Sequence, residues 1–270
     1  MPEGHTLFRL AAELDDAFAG HPVRVTSPQG RFEDGAAAVD GQVMEAAESS
    51  GKHVFLRFAG GEIVHVHLGL IGKFTLGRAP APAAVGAVRM RVESESSYAD
   101  LRGAIVCKLA TVDEMAAVVG MLGPDPLKAD ADPDRAFERI HRSGKAVGAL
   151  LMDQSVLSGV GNVFRAEVLF RARLSPMTPG SKVSKRRWNA MWDDLVFLME
   201  YGVRTGRIDT VRPEHEAEAM GRAPRADDHG GEVYVYRRHG QPCHVCGTVV
   251  KTKLLEGRNL FWCPTCQRRR

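Results

Sequence analysis

Four cysteines near the carboxyl end of the chain have the spacing of a metal site. They form two Cys-x2-Cys pairs with 16 residues between the pairs, and the four residues are Cys243, Cys246, Cys263 and Cys266. Two such pairs supply the four thiolates that a tetrahedral zinc ion binds. Since four thiolates leave no position open for water, we predict one structural zinc ion per chain. Disulfides are the weaker interpretation of these cysteines, and His244, inside the first pair, is the alternative ligand.

The amino terminus carries residues suited to a different chemistry. Met1 is readily removed when proline follows it, which leaves the secondary amine of Pro2 at the start of the mature chain. An α-amino group is less basic than a lysine, and the positive end of a helix that begins nearby further favours its neutral form. Such an amine attacks an aldehyde to form an iminium ion, and Glu3 is placed to transfer protons at the same centre. Many proteins begin with Met-Pro-Glu, so this pair indicates catalysis only in combination with other motifs.

A glycine-containing loop lies between two apolar segments in the second half of the chain. The segments are residues 150–154 and 163–170, and the loop between them contains Gly159, Gly161 and Asn162. Glycine lets the backbone approach a ligand closely, and the free amides at a helix start attract an anion such as phosphate. The loop therefore predicts an anion contact at Gly161 and Asn162, with Asn162 as the N-cap of the second helix. The alternative is a helical hairpin whose glycines only permit the turn.

A helix and a series of strands must position the amino-terminal residues. The helix is predicted for residues 7–18, with Thr6 as its N-cap and Gly20 at its end. Short β-rich segments separated by glycine and proline follow it, at residues 23–25, 41–46, 53–58, 62–68, 73–76 and 87–93. Several short strands with turns between them are typical of a sandwich or barrel. We therefore predict an N-terminal β-sandwich domain with a flanking helix over residues 1–127.

The pattern becomes helical beyond a linker at residues 128–133. Helices are predicted at residues 133–142, 146–154, 162–172 and 184–205. Residues 211–232 are polar and are predicted to form a mobile loop, whereas residues 233–236 are predicted to form a strand. These features predict a helical domain over residues 133–235, in which a two-turn linker joins two helices, and a four-cysteine zinc finger hairpin over residues 236–270. The fold class is therefore α+β.

The charge of the chain is unevenly distributed. The net charge of the 270 residues is only +3, but residues 236–270 contain eight Lys or Arg and one Glu and so carry +7, which leaves −4 for the remainder. Hydrophobic residues at 44% and charged residues at 26% are ordinary for a soluble globular protein, and they exclude a disordered chain and a coiled coil. Because the chain has no apolar run of about 18 residues and no secretory signal, we expect a cytoplasmic protein without a membrane segment.

Three motifs, in this order, resemble those of the formamidopyrimidine-DNA glycosylase / endonuclease VIII family. They are Met-Pro-Glu at the start, Gly-Val-Gly-Asn in the loop, and the four-cysteine finger that ends with Cys-Pro-Thr-Cys-Gln. Glu3 followed by Gly4, and the sequence Val-Phe-Arg-Ala-Glu at residues 163–167, are more similar to the endonuclease VIII branch. The resemblance covers essentially the whole chain. It implies a helix–two-turn–helix in the helical domain and damaged DNA as the partner.

The resemblance implies roles for five residues of this chain. Pro2 corresponds to the nucleophile that attacks C1′ of the damaged nucleotide and forms a Schiff base, and Glu3 to the acid that transfers protons. Lys52, in the sequence Gly-Lys-His, corresponds to the lysine that assists β-elimination and contacts the lesion phosphate. Asn162 corresponds to a phosphate contact, and Arg258 to the arginine that binds phosphate and assists δ-elimination. Without the resemblance, Lys52 and Arg258 would be interpreted as solvated charges.

The resemblance also implies a loop that fills the gap left by an extruded base. Residues 67–72 are similar to that loop, with Leu70 as the first candidate for the wedge and Ile71 as the second, because apolar residues replace lost stacking. Strand packing is the alternative for both residues. Many relatives have an Asp-Pro-Arg-Arg-Phe-Gly loop opposite the lesion, whereas residues 98–104 of this chain contain no phenylalanine and one arginine. That arginine, Arg102, is a further candidate DNA contact.

These features imply a bifunctional DNA glycosylase and AP lyase of base excision repair. We expect a nucleoid-associated monomer that binds damaged duplex DNA in a cleft between its two domains. It would remove oxidised bases, in particular pyrimidines, through a Schiff base on Pro2, followed by β,δ-elimination. Two alternatives stay open. One is an oxidised-purine-directed glycosylase of the same family, and the other is a non-catalytic, zinc-dependent binder of damaged DNA, which would have no need of Pro2 and Glu3.

Overall fold

A computed structural model describes residues 2–226 and 231–268 of the chain. Met1, four residues of the predicted mobile loop and the last two arginines of the basic tail lie outside the described residues. The chain divides into two compact units, Met1–Met121 and Leu122–Arg270. Each unit has its own hydrophobic core.

Two antiparallel sheets form the first unit. Its strands are β1 His21–Pro22, β2 Arg24–Thr26, β3 Val43–Ser50, β4 His53–Phe58, β5 Ile63–His67, β6 Lys73–Arg78, β7 Val88–Glu93, β8 Ser97–Arg102 and β9 Val106–Ala110. The first sheet has the order β1-β3-β4-β5-β9, and the second has the order β2-β7-β8-β6. Three helices accompany the sheets: α1 Gly4–Phe18, α2 Glu33–Val39 and α3 Val112–Gly120.

Helix α1 supplies one side of the core of this unit. Its apolar residues recur at helical spacing, and Leu7, Leu10, Leu14 and Phe18 are all buried. They belong to one cluster with residues of both sheets, among them Leu56 and Val66 of the first sheet and Val92 and Leu101 of the second. The unit is therefore a β-sandwich with a flanking helix, and the predicted α+β fold class is confirmed.

Strand β8 is absent from the predicted strands because its sequence is polar. The carboxylate of Asp100 in β8 accepts two hydrogen bonds from Arg91 in β7, at 2.6 and 2.8 Å. Both side chains are buried, so this charged strand is held in the sandwich by a pairing that its local pattern does not reveal.

Helix α1 also begins earlier than predicted. Its N-cap is Glu3 rather than Thr6, since the backbone oxygen of Glu3 already accepts the N–H of Thr6 at 2.8 Å.

Helices dominate the second unit. They are α4 Pro133–His141, α5 Val147–Leu150, α6 Asn162–Arg171 and α7 Lys185–Thr205, with short 3-10 turns at Gly180–Lys182 and Pro213–His215. Helix α6 is buried from Asn162 to Phe170 and packs against α7, whose Trp188 is fully buried. Strands β10 Lys251–Leu255 and β11 Arg258–Trp262 form an antiparallel hairpin. Among the described residues, none of these helices combines the length and the apolar character needed to cross a membrane.

Residues 233–236 do not form the predicted strand. The backbone N–H groups of Tyr234, Val235 and Tyr236 donate to the carboxylate of Glu167 in α6, at 2.7, 2.9 and 2.8 Å. The hydroxyl of Thr210 donates to the same carboxylate at 2.6 Å. Glu167 is fully buried, so these four hydrogen bonds offset the cost of its burial. A β-rich segment therefore wraps around a carboxylate instead of pairing with a strand.

Candidate active site

The amino-terminal pair lies at the positive end of helix α1. Glu3 has an extended backbone, and its oxygen accepts the N–H groups of Thr6 and Leu7 at 2.8 and 3.3 Å. Its side chain is fully buried, whereas Pro2 is half-buried. A nitrogen at Pro2 would feel the partial positive charge of the helix start, which disfavours its protonated form. The chemistry that the sequence predicts for the pair stays a prediction.

Lys52 lies in the turn between β3 and β4, toward the amino-terminal end of α1. The helix and strand β3 run antiparallel, since Gly20 donates its N–H to the oxygen of Met44 and Ala47 donates to Asp15 Oδ1, both at 2.8 Å. The distance from Asp15 back to the start of α1 is about 16 Å, at 1.5 Å per helical residue. From Ala47, strand β3 runs about 10 Å further to Ser50, at 3.3 Å per strand residue, and Gly51 and Lys52 form the turn that follows. The turn between β3 and β4 therefore brings Lys52 to the end of the helix–strand pair where the amino-terminal residues lie.

Three histidines stand beside Lys52 on strands β4 and β5. Nδ1 of His53 and Nε2 of His65 lie 2.8 Å apart, and the ring centroids of His53 and His67 are 4.8 Å apart. Burial lowers the pKa of His53 to about 3, with further contributions from the other two histidines and Lys52, and burial lowers the pKa of His65 to about 4. Burial and Lys52 also lower the pKa of His67. All three rings are therefore neutral at pH 7.

Leu70 and Ile71 lie at the tip of the turn between β5 and β6. They are 51% and 83% exposed, so strand packing does not account for them. The turn is closed by a 3.0 Å hydrogen bond from the N–H of Gly72 to the oxygen of Leu68. A side chain at position 72 would collide with that oxygen, at 2.3 Å from its Cβ. This tight turn, which requires glycine at position 72, thus exposes two apolar side chains to solvent.

Ile105, which no sequence motif singles out, adds a third exposed aliphatic side chain to this region. It is 65% exposed, and its Cγ2 lies 2.7 Å from the position that a Cβ on Gly69 would occupy. Its N–H donates to the backbone oxygen of His67 at 3.0 Å. The sequence does not predict that Ile105 is exposed, because residues 104–109 form an ordinary apolar stretch.

Arg102 is tied to its own sheet. Its Nη2 donates to Asp100 at 2.9 Å and to the backbone oxygen of Val85 at 3.3 Å. Asp100 is the same buried carboxylate that binds Arg91. The structure therefore shows a partner for Arg102 within the sandwich, and a contact of this side chain with DNA stays a prediction.

The glycine loop and the cysteine hairpin meet in the second unit. Nδ2 of Asn162 donates to the backbone oxygen of Asn259, at 3.0 Å. Arg165, which is almost fully buried, donates to the Oδ1 of Asn162, and also to Asn259 O at 3.1 Å. Arg258 precedes Asn259 and is exposed at the start of β11, directly after the Glu256–Gly257 turn. The structure therefore brings the predicted phosphate ligands Asn162 and Arg258 into one region.

The glycine loop is held in shape by a side chain at its start. Gln154 donates to the oxygen of Val160 at 2.9 Å and accepts the N–H of Gly159 at 3.1 Å. The N-cap of α6 is Gly161 rather than Asn162, because Gly161 is extended and its oxygen already accepts the N–H of Arg165 at 3.0 Å. The predicted N-cap is thus wrong by one residue.

The four cysteines converge at the base of the hairpin. Their sulfurs all lie within 4.8 Å of one another, with separations of 3.9 Å for Cys243–Cys266 and 3.5 Å for Cys246–Cys263. Sulfurs around a tetrahedral zinc ion are about 3.8 Å apart, whereas a disulfide is about 2.0 Å long. The sulfurs therefore fit zinc, and His244 is outside this group. The predicted zinc site is confirmed.

Three known domains match the chain in the order of these features. The formamidopyrimidine-DNA glycosylase N-terminal domain matches residues 1–107, and the formamidopyrimidine-DNA glycosylase H2TH domain matches residues 122–213. A zinc finger found in FPG and IleRS matches residues 240–269. The chain is 51% identical to endonuclease 8 1 of Mycobacterium tuberculosis strain ATCC 25618 / H37Rv, over 99% of this chain and 100% of that protein. The chain belongs to the formamidopyrimidine-DNA glycosylase / endonuclease 8 family.

Other members of this family are similar over the whole chain as well. Endonuclease 8 2 of M. tuberculosis strain CDC 1551 / Oshkosh is 33% identical over 99% of this chain and 100% of that protein. The Lactococcus lactis formamidopyrimidine-DNA glycosylase, in a crystal structure with DNA that contains an AP site, superposes with a TM-score of 0.79 at 18% identity. That superposition covers 99% of this chain and 100% of the other, and it shows the shared fold. The resemblance in the sequence motifs is thereby confirmed.

Proposed function

We propose that this family member is a bifunctional DNA glycosylase and AP lyase that removes oxidised bases, in particular pyrimidines, from duplex DNA. The observation that carries the proposal is the placement of Pro2 and buried Glu3 at the start of α1, with Lys52 in the β3–β4 turn toward the same end of that helix. A non-catalytic DNA binder has no need of this arrangement. The 51% identical relative is named endonuclease 8 1, which supports the resemblance to the endonuclease VIII branch.

The reaction begins when the neutral nitrogen of Pro2 attacks C1′ of the damaged nucleotide. The bond from C1′ to the base breaks and the base leaves with a proton. Glu3 then protonates O4′ as the C1′–O4′ bond breaks, so the sugar ring opens and the Pro2 nitrogen, having lost its own proton, is bound to C1′ as an iminium ion. The resulting iminium ion acidifies the 2′ hydrogen. Loss of this proton, assisted by Lys52, expels the 3′ phosphate, and a second elimination, assisted by Arg258, expels the 5′ phosphate. The zinc ion takes no part, because four thiolates fill its coordination sphere.

The nucleotide must leave the base stack before C1′ can be attacked. Leu70, Ile71 and Ile105 form an exposed aliphatic group, and side chains of this kind insert between bases to replace lost stacking. Asn162 and Arg258 would hold the backbone phosphates. The aliphatic group offers no hydrogen-bond donor to the opposite base, which favours excision that depends little on that base.

Reduction with borohydride tests Pro2 as the nucleophile, because it converts an iminium ion into a stable covalent adduct. Wild-type protein should be trapped on duplex DNA that contains thymine glycol, with the adduct mass on the peptide that begins at Pro2. A form with extra residues before Pro2 should give no adduct. An undiminished adduct in the extended form would show that another amine is the nucleophile.

Comparison of two lesions tests the preference within the family. Single-turnover excision of thymine glycol should be faster than excision of 8-oxoguanine in the same duplex. The opposite order would assign the chain to the purine-directed alternative. Binding of lesion-bearing DNA with no adduct on either lesion would support the non-catalytic alternative.

A further inference from the structure

His67, the last residue of β5, forms hydrogen bonds with both loops that carry the exposed aliphatic side chains Leu70, Ile71 and Ile105. Its Nδ1 accepts the N–H of Gly69 at 3.0 Å. This is the hydrogen bond to residue i+2 with which an Asn or Asp side chain builds a turn. Its backbone oxygen accepts the N–H of Ile105, also at 3.0 Å. One residue therefore joins the turn that presents Leu70 and Ile71 to the loop that presents Ile105.

The hydrogen bond from Gly69 requires a neutral His67. A ring nitrogen that accepts a hydrogen bond carries no proton, so the single proton of the neutral ring must be on Nε2. If Nδ1 were protonated, two donors would face each other, and the turn would lose this bond. The shape of the turn is thus linked to the charge of one imidazole.

The surroundings of the ring keep it neutral. The ring of His53 lies edge-on to that of His67, and on the other side the strand partner of His67 is the apolar Val106. Burial, and then the charge of Lys52, lower the pKa of His67 below its ordinary value. The titratable groups that face this cluster from the elements packed around it are Lys52 and His53 beside β4, His65 on β5, Lys108 on β9 and Glu114 on α3.

We propose that His67 is a positioning residue whose neutral imidazole forms the turn that carries Leu70 and Ile71, so that base extrusion requires His67 to be unprotonated. The residue acts through the turn and does not touch the reacting atoms. The proposal rests on the proposed function, because it assigns His67 to the wedge of that same site. It predicts a loss of duplex excision on the acid side of the ordinary histidine pKa of about 6.5.

Two substitutions separate the acceptor from the charge. His67→Asn keeps an acceptor that reaches the N–H of residue 69 and cannot titrate, and it should retain the wild-type rate on duplex DNA within about threefold at pH 7.5. His67→Leu has no acceptor, and it should be about tenfold slower, as expected for a lost hydrogen bond that positions the wedge. His21→Asn, at an exposed histidine of β1, is the matched control and should be unchanged.

The ratio of wild-type to His67→Asn excision rates, measured from pH 8 to pH 5, isolates the titration of His67. Protonation of the Pro2 amine slows both proteins equally and therefore cancels in the ratio. Because the pKa of His67 is lowered, the ratio should still be constant at the ordinary histidine pKa of about 6.5 and should fall only at a more acidic pH. A ratio that stays flat through the pH at which the NMR signals of His67 show its protonation, or a His67→Asn protein as slow as His67→Leu, would overturn the proposal.

Two further measurements distinguish the possible failures. Single-stranded DNA with a preformed abasic site needs no wedge, so borohydride should trap His67→Leu on it as efficiently as wild type. Absence of any wild-type adduct on this substrate would refute the proposed function itself. The nitrogen NMR signals of His67 in wild-type protein should show a proton on Nε2 at pH 7.5, and a proton on Nδ1 would overturn the inference even if a variant failed to fold.

Discussion

At the residue scale, the aliphatic side chains of Leu70, Ile71 and Ile105 stand exposed on two neighbouring loops of the first unit. Side chains of this kind gain about 1.5–3 kcal/mol each on full burial, yet all three are more than half exposed. Because these side chains stay exposed, the folded protein gains little of this free energy. Insertion between bases would bury them, and the free energy of that burial would then favour base extrusion.

Substitution of Ile71 or Ile105 by alanine should therefore slow excision from duplex DNA about tenfold, which corresponds to about 1.4 kcal/mol. Single-turnover rates on a thymine glycol duplex measure the effect. Cleavage of a single-stranded abasic oligonucleotide should not change, because no base has to leave a stack. Val112→Ala is the matched control, since Val112 is a β-branched residue that is 62% exposed on α3. If Val112→Ala were equally slow, exposed apolar area in general, rather than the wedge, would be responsible.

At the element scale, the β10–β11 hairpin connects the zinc site to the proposed phosphate contact. The cysteine sulfurs lie at its base, and Arg258 stands at the opposite end, beside a two-residue turn. Glu256 and Gly257 both have positive φ angles in this turn, as a tight hairpin requires. A two-stranded hairpin by itself is at best marginally stable in water. The metal therefore acts together with the buried side chains of Leu260 and Phe261 and the hydrogen bonds to Asn259 in holding Arg258 in place.

Loss of the zinc ion should thus weaken DNA binding and leave the chemistry at Pro2 intact. Cys263→Ser should bind less zinc and bind an abasic-site duplex at least about tenfold more weakly, by the loss of positioned phosphate contacts. Trapping by borohydride on single-stranded abasic DNA should persist, because Pro2 and Lys52 belong to the other unit. Cys107→Ala, at a buried cysteine of β9, is the control and should keep one zinc ion per chain. Equal affinity of Cys263→Ser and wild type would contradict a role of the metal in positioning Arg258.

Elements with a strong local pattern were predictable from the sequence. Strand β4 and helices α4 and α6 have apolar periodicity or capping residues of their own, and their observed bounds lie within a residue of the predicted ones. The segment at 233–236 was not predictable, because its strand-like composition is overruled by the buried carboxylate of Glu167. The same holds for Ile105, whose exposure follows from its contact with Gly69 across two loops. Tertiary partners of this kind are distant in sequence, so local propensity does not reveal them.

At the scale of the whole molecule, the positive charge is concentrated in the carboxyl-terminal segment of the sequence. Residues 236–270 carry +7 and the remainder carries −4, although the sum is only +3. Phosphate binding depends on where cations stand rather than on the net charge, because each contact releases condensed counterions from the DNA. A nearly neutral chain is thus compatible with strong, salt-dependent DNA binding. Where the individual contacts lie is then a question that salt titration can answer residue by residue.

The salt dependence of binding should report Arg258 directly. Plotted as log K against log salt concentration, the slope for an abasic-site duplex should become shallower by about 0.9 in Arg258→Ala, which is the effect of one lost phosphate contact. Arg207→Ala is the matched control, because the Arg207 guanidinium already faces Asp209 at 3.6 Å. Its slope should equal that of the wild type. An unchanged slope in Arg258→Ala would mean that this arginine does not contact phosphate, and the hairpin would then serve some other part of the site. A shallower slope in both variants would instead indicate a diffuse electrostatic attraction in which the position of Arg258 has no special importance.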